Sequence, residues 1–252
     1  MTTTITSSPP ASTPPPSRSD RSRLRRALAI AGLLTVGAGA LGAAAWLVRD
    51  VDHGSTVVAA VDTIRFRGGA AGLTLVEADR DDIEVAWEAM TSPWHEAEVT
   101  AEVEDGVLAV TAHCPDVLLT NCSSETDITV PYGAVAKLDV EIAAGTVRAT
   151  GTSAEVVATV NAGDVLLEEH HGTRAVLCVN AGEVEVDSRA VPRELDVLVN
   201  VGGIDITVPE ADYDLETSVN IGTVSTSVRE ADDAVHRIHA WVDVGDVDVR
   251  MR

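Results

Sequence analysis

The hexapeptide VNAGDV begins at Val160, and close variants of it follow: VNAGEV from Val179, VNVGGI from Val199, VNIGTV from Val219 and VDVGDV from Val242. With a looser sixth copy they align on Gly145, Gly163, Gly182, Gly202, Gly222 and Gly245, at spacings of 18, 19, 20, 20 and 23 residues. A period near twenty residues marks a solenoid or an array. Each unit there is too small to bury its own apolar face and must stack on its neighbours. No other feature of the chain restricts the fold as strongly.

The columns of this alignment carry a second pattern. Three residues before the glycine stand Ile142, Val160, Val179, Val199, Val219 and Val242, and five before it Val140, Ala158, Leu177, Val197, Thr217 and Ala240. Two after it come Val147, Val165, Val184, Ile204, Val224 and Val247, and four after it Ala149, Leu167, Val186, Ile206, Thr226 and Val249. Residues between these columns are mostly polar or acidic. Alternation of period two on both sides of a glycine predicts strand, bend, strand, with one face inward. The glycine supplies the backbone freedom or close approach that the bend needs. The residue just before the glycine (Ala144, Ala162, Ala181, Val201, Ile221, Val244) is expected on the inward face as well.

Two residues before the glycine, four repeats in succession carry Asn161, Asn180, Asn200 and Asn220, and the last carries Asp243. An asparagine column suits rungs stacked in parallel about 4.8 Å apart, with amides bonded from rung to rung. Asparagine also tolerates turn conformations, so an antiparallel sandwich with the same bends stands as the alternative. The expectation is an all-β parallel solenoid, with repeats over 136–252 and Val199 stacked between Val179 and Val219.

Upstream the pattern loosens. VTAEVEDGVLAVTA places Asp105-Gly106 between two alternating arms, a strong hairpin signal. IRFRGGAAGLTLVEADRDDIEVAWEAM reads as strands with glycine-rich bends outside the repeat register. Terminal units of solenoids are atypical because one side has no neighbour, so 57–135 is expected to form a β cap continuous with the stack.

The N-terminal segments place the domain. Residues 1–26 are Ser, Thr and Pro with a basic end, too poor in apolar groups to form a core and expected to be disordered. Ala27–Val48 then runs for 22 residues without a charge. As a helix it would span roughly 33 Å, enough for a hydrocarbon core of about 30 Å. A transmembrane signal-anchor is expected there, followed by a linker at 49–56. A cleaved signal peptide ending near GAAAW is the competing reading. The arginine cluster ahead of the span orients the N-terminus to the cytoplasm and the remainder outside. The chain of 252 residues has a net charge of −22, although residues 1–50 are net basic. The exported part is therefore strongly acidic, which excludes nucleic acid as its partner.

Cys114 and Cys122 enclose a short loop that a disulfide could staple in an oxidising compartment, leaving Cys178 as inert packing within a strand. A signal-anchor followed by strands around Gly-Asp-Val or Gly-Thr-Val units at such intervals resembles the bacterial family of β-strand-repeat proteins labelled candidate adhesins, of unknown function. The likeness covers roughly residues 57–252, and the paired cysteines ahead of the repeats are similar to actinobacterial members. The resemblance implies an extracytoplasmic β-helical fold with a surface or envelope role, and supplies no catalytic residues.

Candidate chemistry is sparse. Glu168, Glu169, His170 and His171 form the densest group of metal-capable side chains. Neighbours on a strand face opposite sides, so at most alternate members could share an ion. His236 and His239 have less support. Carboxylate runs such as EADRDD and READD fit solvated loops better than an acid–base pair. They can collect calcium loosely but show no calcium-loop motif. The aromatic complement is small: one Phe, two Tyr and four Trp, with Trp87 and Trp94 in the cap. The expected function is non-enzymatic surface binding, display or envelope scaffolding, without cofactor or metal, toward an envelope protein or polysaccharide. An accessory role in envelope-stress signalling and, less favoured, a carbohydrate-active β-helix are the alternatives.

Overall fold

The computed structural model describes residues 50–91, 98–113 and 122–252. The N-terminal tail, the apolar span at 27–48, Trp94 and Cys114 lie outside the described residues. Residues from Arg49 onward make one compact unit. Its described part holds strands and no helix, and so none long and apolar enough to cross a membrane.

The repeats form parallel rungs. β7 (Lys137–Ala144) with β8 (Val147–Thr150) makes the first rung, and β9 (Glu155–Ala162) with β10 (Val165–His170) the second. β11 (Arg174–Ser188) and β12 (Glu194–Val208) each run through a bend as one continuous strand. β13 (Asp212–Ile221) with β14 (Val224–Ser227), the short β15 (Arg229–Glu230) and the long β16 (Arg237–Met251) complete the chain. Every pairing among the rungs is parallel, Val179 lying beside Val199 and Val160 beside Val179. The parallel solenoid is therefore the fold, and the antiparallel sandwich is not.

The aliphatic columns close the core. Val140, Ile142, Val147 and Ala149, with their counterparts through Val199, Ile204 and Ile206, are at most 3 % exposed, and burial of each such side chain contributes about 1.5–3 kcal/mol. The repeat glycines hold the bends at φ between 136° and 148°, where an L side chain is strained. A Cβ on Gly202 would also collide with the carbonyl oxygen of Gly182 in the rung beneath. The column just before the glycine does not face inward as expected. Ala144, Ala162, Ala181, Val201, Val244 and Ile221 all point to solvent. The bend costs one residue of alternation, so two successive side chains face out before the phase resumes.

The rungs are not stacked in chain order. β16 lies between β12 and β13, so Val199 sits between Val179 and Val242, and Val219 pairs with Val242 alone. Stacking of Val199 against Val219 is thus corrected. The chain passes over one position, lays down the terminal rung, and returns to fill the gap. The longer last spacing, 23 residues, matches that return.

The N-terminal part consists of β1 (Asp50–Ala59), β2 (Thr63–Ala78), β3 (Asp82–Thr91), β4 (Glu98–Glu104), β5 (Val107–His113) and β6 (Ser123–Pro131). β4 and β5 form the expected hairpin, turning at Asp105 and Gly106, both at positive φ. β1 starts inside the stretch expected as a linker and pairs antiparallel with β3. β2 is also a full rung, in register with β7 and β8 through Phe66↔Val140 and Leu73↔Val147, which the sequence reading placed out of register. Ala71 takes the place of the glycine there, its carbonyl lying under Gly145. On its other side β2 pairs in parallel with β5 along the first arm, through Gly68↔Ala112, and with β6 along the second, through Ala71↔Ser124.

Candidate functional site

Outward-facing side chains stack in columns just as the core does. Across β12, β16 and β13 three such rows lie side by side. One is Asp196, His239 and Glu216; the next is Leu198, Trp241 and Ser218. The third, at the bend, is Asn200, Asp243 and Asn220. Trp241 stands at the centre of this grid, on the strand that inserts between its neighbours. It is 46 % exposed and Leu198 39 %, so the strip leaves apolar surface in water. Beside it Val201, Val244 and Ile221 form an exposed ridge along the bend.

Two shallow depressions meet at Trp241. One, of about 290 Å³, runs over Val176, Cys178, Asp196, Leu198 and His239. The other, of about 240 Å³, is bordered by Asn200, Ser218, Asn220 and Asp243. The polar groups are held in place. His239 Nδ1 lies 3.0 Å from Asp196 Oδ1, and its Nε2 3.8 Å from Glu216. Asn220 Nδ2 donates to Asp243 Oδ1 at 2.9 Å, Asn200 to Asn180 at 2.7 Å and Asn180 to Asn161 at 3.1 Å. The asparagine column thus makes rung-to-rung bonds, with Asp243 as a member between Asn200 and Asn220. At two of the bends an aspartate just after the glycine binds the adjacent rung. Asp164 accepts from the Glu183 N–H, and Asp246 accepts from both the N–H and hydroxyl of Thr223. Those Thr223 bonds, side chain first, hold the exposed Asp246 carboxyl below its usual range.

The other candidate groups do not converge. Arg148 and Thr150 bind Glu168, while Glu169 binds Arg189 at 2.8 Å. His170 is buried at 2 % exposure, turned in by a bulge after Leu167 where Glu169 adopts φ 50°. Neither of its ring nitrogens has a partner among the described residues. Burial, with a smaller contribution from His171, lowers its pKa to about 4. His236 contacts the Pro192 carbonyl at 3.0 Å, remote in role from His239. Among the described residues no three metal-capable side chains group together. Cys178 keeps a free thiol, half-buried on the outer face of β11. Cys122 is buried against Ala89 and Trp87.

Sequence reasoning looked for aromatic residues in the cap and overlooked Trp241. The signal was present: Trp241 alternates out of phase with Ala240 and Val242, so it had to face outward. What no alignment column showed is that Leu198 and Ser218 flank it, because the insertion of β16 decides that.

Bent parallel rungs stacked over a continuous aliphatic interior are the class of protein this geometry defines. Residues 72–250 match the family described as Toastrack DUF4097, and the chain belongs to that family. Among solved structures it is similar to a candidate cell adhesion protein from Clostridium sporogenes, at 12 % identity, covering 81 % of this chain and 100 % of that one, with a TM-score of 0.44. It is also similar to candidate adhesins from Parabacteroides distasonis, at 10 % identity over 78 % of this chain and 97 % of that one, TM-score 0.33, and from Bacteroides fragilis, at 11 % identity over 79 % and 97 %, TM-score 0.33. No protein of curated function matches the sequence.

Proposed function

We propose that the protein is a single-pass, membrane-anchored surface protein whose acidic β-solenoid stands outside the cell and acts by binding, not by catalysis. The observation that carries this is the outward face around Trp241: large apolar side chains left in water on a rigid sheet, bordered by ordered amides and carboxylates. A protein with no use for that face gains nothing by leaving a Trp and a Leu exposed side by side. Adhesin-like attachment or envelope scaffolding needs such a surface and no reacting group. The apolar span at 27–48, preceded by arginines, supports the N-in, C-out anchor.

Protease added to intact spheroplasts tests the placement. Digestion of the β domain with survival of the N-terminal tail is the expected result, and full protection of the β domain overturns it. A mature N-terminus near Trp46 would replace the anchor by a signal peptide. Export also favours a Cys114–Cys122 disulfide, closing a short loop for about 2–3 kcal/mol at most. Unfolded, non-reduced protein should then take up one equivalent of thiol reagent, at Cys178; three equivalents would remove the bond.

A further inference from the structure

We infer that Trp241 and the carboxylates around it form a docking point for an arginine-bearing polypeptide segment. Trp241 is 46 % exposed and borders both depressions. Among the described residues the one aromatic ring contact joins Tyr213 and His236, and no cation rests on Trp241. Asp196 and Glu216 stand in the adjoining row, one strand to either side of Trp241, and Asp243 is two residues along its own strand. Cross-strand neighbours on one face lie about 5 Å apart and residues i and i+2 about 7 Å. A group resting on the indole is therefore within reach of carboxylates on more than one side. His239, between Asp196 and Glu216, is already engaged by both.

Charge selects the occupant. The chain is net −22, and its basic excess is confined to residues 1–50. A second copy would bring like charge to this face, and an anionic glycan or lipid would be repelled. A cation is drawn in. Arginine fits better than lysine because a planar guanidinium can stack on the indole and still present edge N–H groups to carboxylates. Leu198 and the Val201–Val244–Ile221 ridge supply apolar contact for the chain that carries it. Asn220, fixed by its bond to Asp243, prevents that carboxylate from turning away.

The test is a fluorescence-anisotropy titration of the full-length chain in detergent micelles with a labelled oligoarginine peptide, at physiological salt. Trp241→Leu keeps apolar surface but removes the π face, and should weaken binding about fivefold or more. Asp243→Asn with Glu216→Gln should weaken it to a similar degree. Glu102→Gln with Glu104→Gln removes the same charge from the exposed hairpin and should change affinity less than about twofold. A thermal melt of each variant confirms that these outward substitutions leave the fold intact. The inference is overturned if the peptide does not bind, or if the hairpin pair weakens binding as much as the site pair. It is also overturned if a neutral chito-oligosaccharide, and not the peptide, binds in a Trp241-dependent way, since the face is then a sugar platform. The inference rests on the surface-binding role proposed above yet fails separately from it. Loss of peptide binding leaves the protease result untouched, and protection of the β domain leaves the titration untouched.

Discussion

The rungs centred on Gly202 and Gly222 are written in nearly the same letters, VNVGGI and VNIGTV, but they are in different physical situations. The Gly202 rung has neighbours on both sides, β11 and β16, and its inward positions are closed. The Gly222 rung has β16 on one side and, among the described residues, pairs on the other only through Asp212 and Tyr213 with β15. Its Val224 is 45 % exposed, against 2 % for Ile204 in the Gly202 rung. The difference appears in composition where one would want it. Among the four inward columns the non-aliphatic residues are Thr217 and Thr226, both in the Gly222 rung. An end rung presents one flank of its interior to water, and threonine keeps the β-branched shape of valine while offering water a hydroxyl.

Equivalent substitutions in the two rungs test this contrast. Val199→Asp places a charge between Val179 and Val242 with no partner, and should cost about 4 kcal/mol or unfold the domain. Val219→Asp occupies the same column in the end rung, half-open to solvent, and should cost about 1 kcal/mol. Urea denaturation of both variants measures the gap. Equal costs would mean that something covers the terminal rung or that β16 is not inserted.

A second contrast concerns the corner beyond the second arm. There the interior is polar in the middle of the stack: Thr152, His170 and Ser188 are all at most 2 % exposed. Ser188 donates to the Ala190 carbonyl, and Thr152 accepts from the Ala154 N–H. His170 has no such outlet. The folded-state pKa of His170, about 4, lies below its ordinary 6.5. The unfolded chain therefore binds the extra proton across that window. Stability should be fully present above about pH 6.5 and decline by about 3 kcal/mol as pH falls to 4. Val228 holds the corresponding corner of the end rung and does not titrate. His170→Leu should flatten the stability profile between pH 6.5 and 4. A slope that survives the substitution would assign the acid sensitivity to the carboxylates instead.

How far the sequence reveals this structure depends on which interactions set each feature. The inward columns and the hairpin at Asp105-Gly106 are local: alternation and turn chemistry fix them, and both were legible. The exposed column before each glycine was not, because period-two counting assumes an unbroken strand and the bend removes one step. The bulge at Glu169 does the same for His170. It turns one member of the Glu168–His171 group into a buried side chain. The insertion of β16 is a matter of which rung finds which, and near-identical repeats cannot specify that by pattern alone. Its traces were nonetheless written in the sequence, as the two threonines in the next-to-last repeat and the long final spacing. Trp241 followed the same route: its outward direction could be read, but its neighbours depended on the insertion.

The smallest effect tests whether surface ion pairs also distinguish the two rungs. Three residues after the glycine, Gly202 is followed by Asp205 and Gly222 by Ser225, and both lie beside Asp248 of the inserted strand. Arg250 binds Asp205 at 2.8 and 2.9 Å and Asp248 at 3.0 Å, which raises the guanidinium pKa above its ordinary value, the Asp205 hydrogen bond contributing most. The central rung thus keeps β16 with a two-pronged ion pair where the end rung offers a hydroxyl. All three side chains are more than 40 % exposed, so solvent screens the attraction and the pair is worth about 0.5 kcal/mol. Asp205→Ser, which gives the central rung the end rung's residue, should lower stability by about that amount in dilute buffer. The loss should shrink toward zero in about 1 M salt, where the Debye length is about 3 Å. A cost above about 1.5 kcal/mol, or one indifferent to salt, would show that Asp205 helps choose which rung β16 lies against, and that the choice is electrostatic as well as apolar.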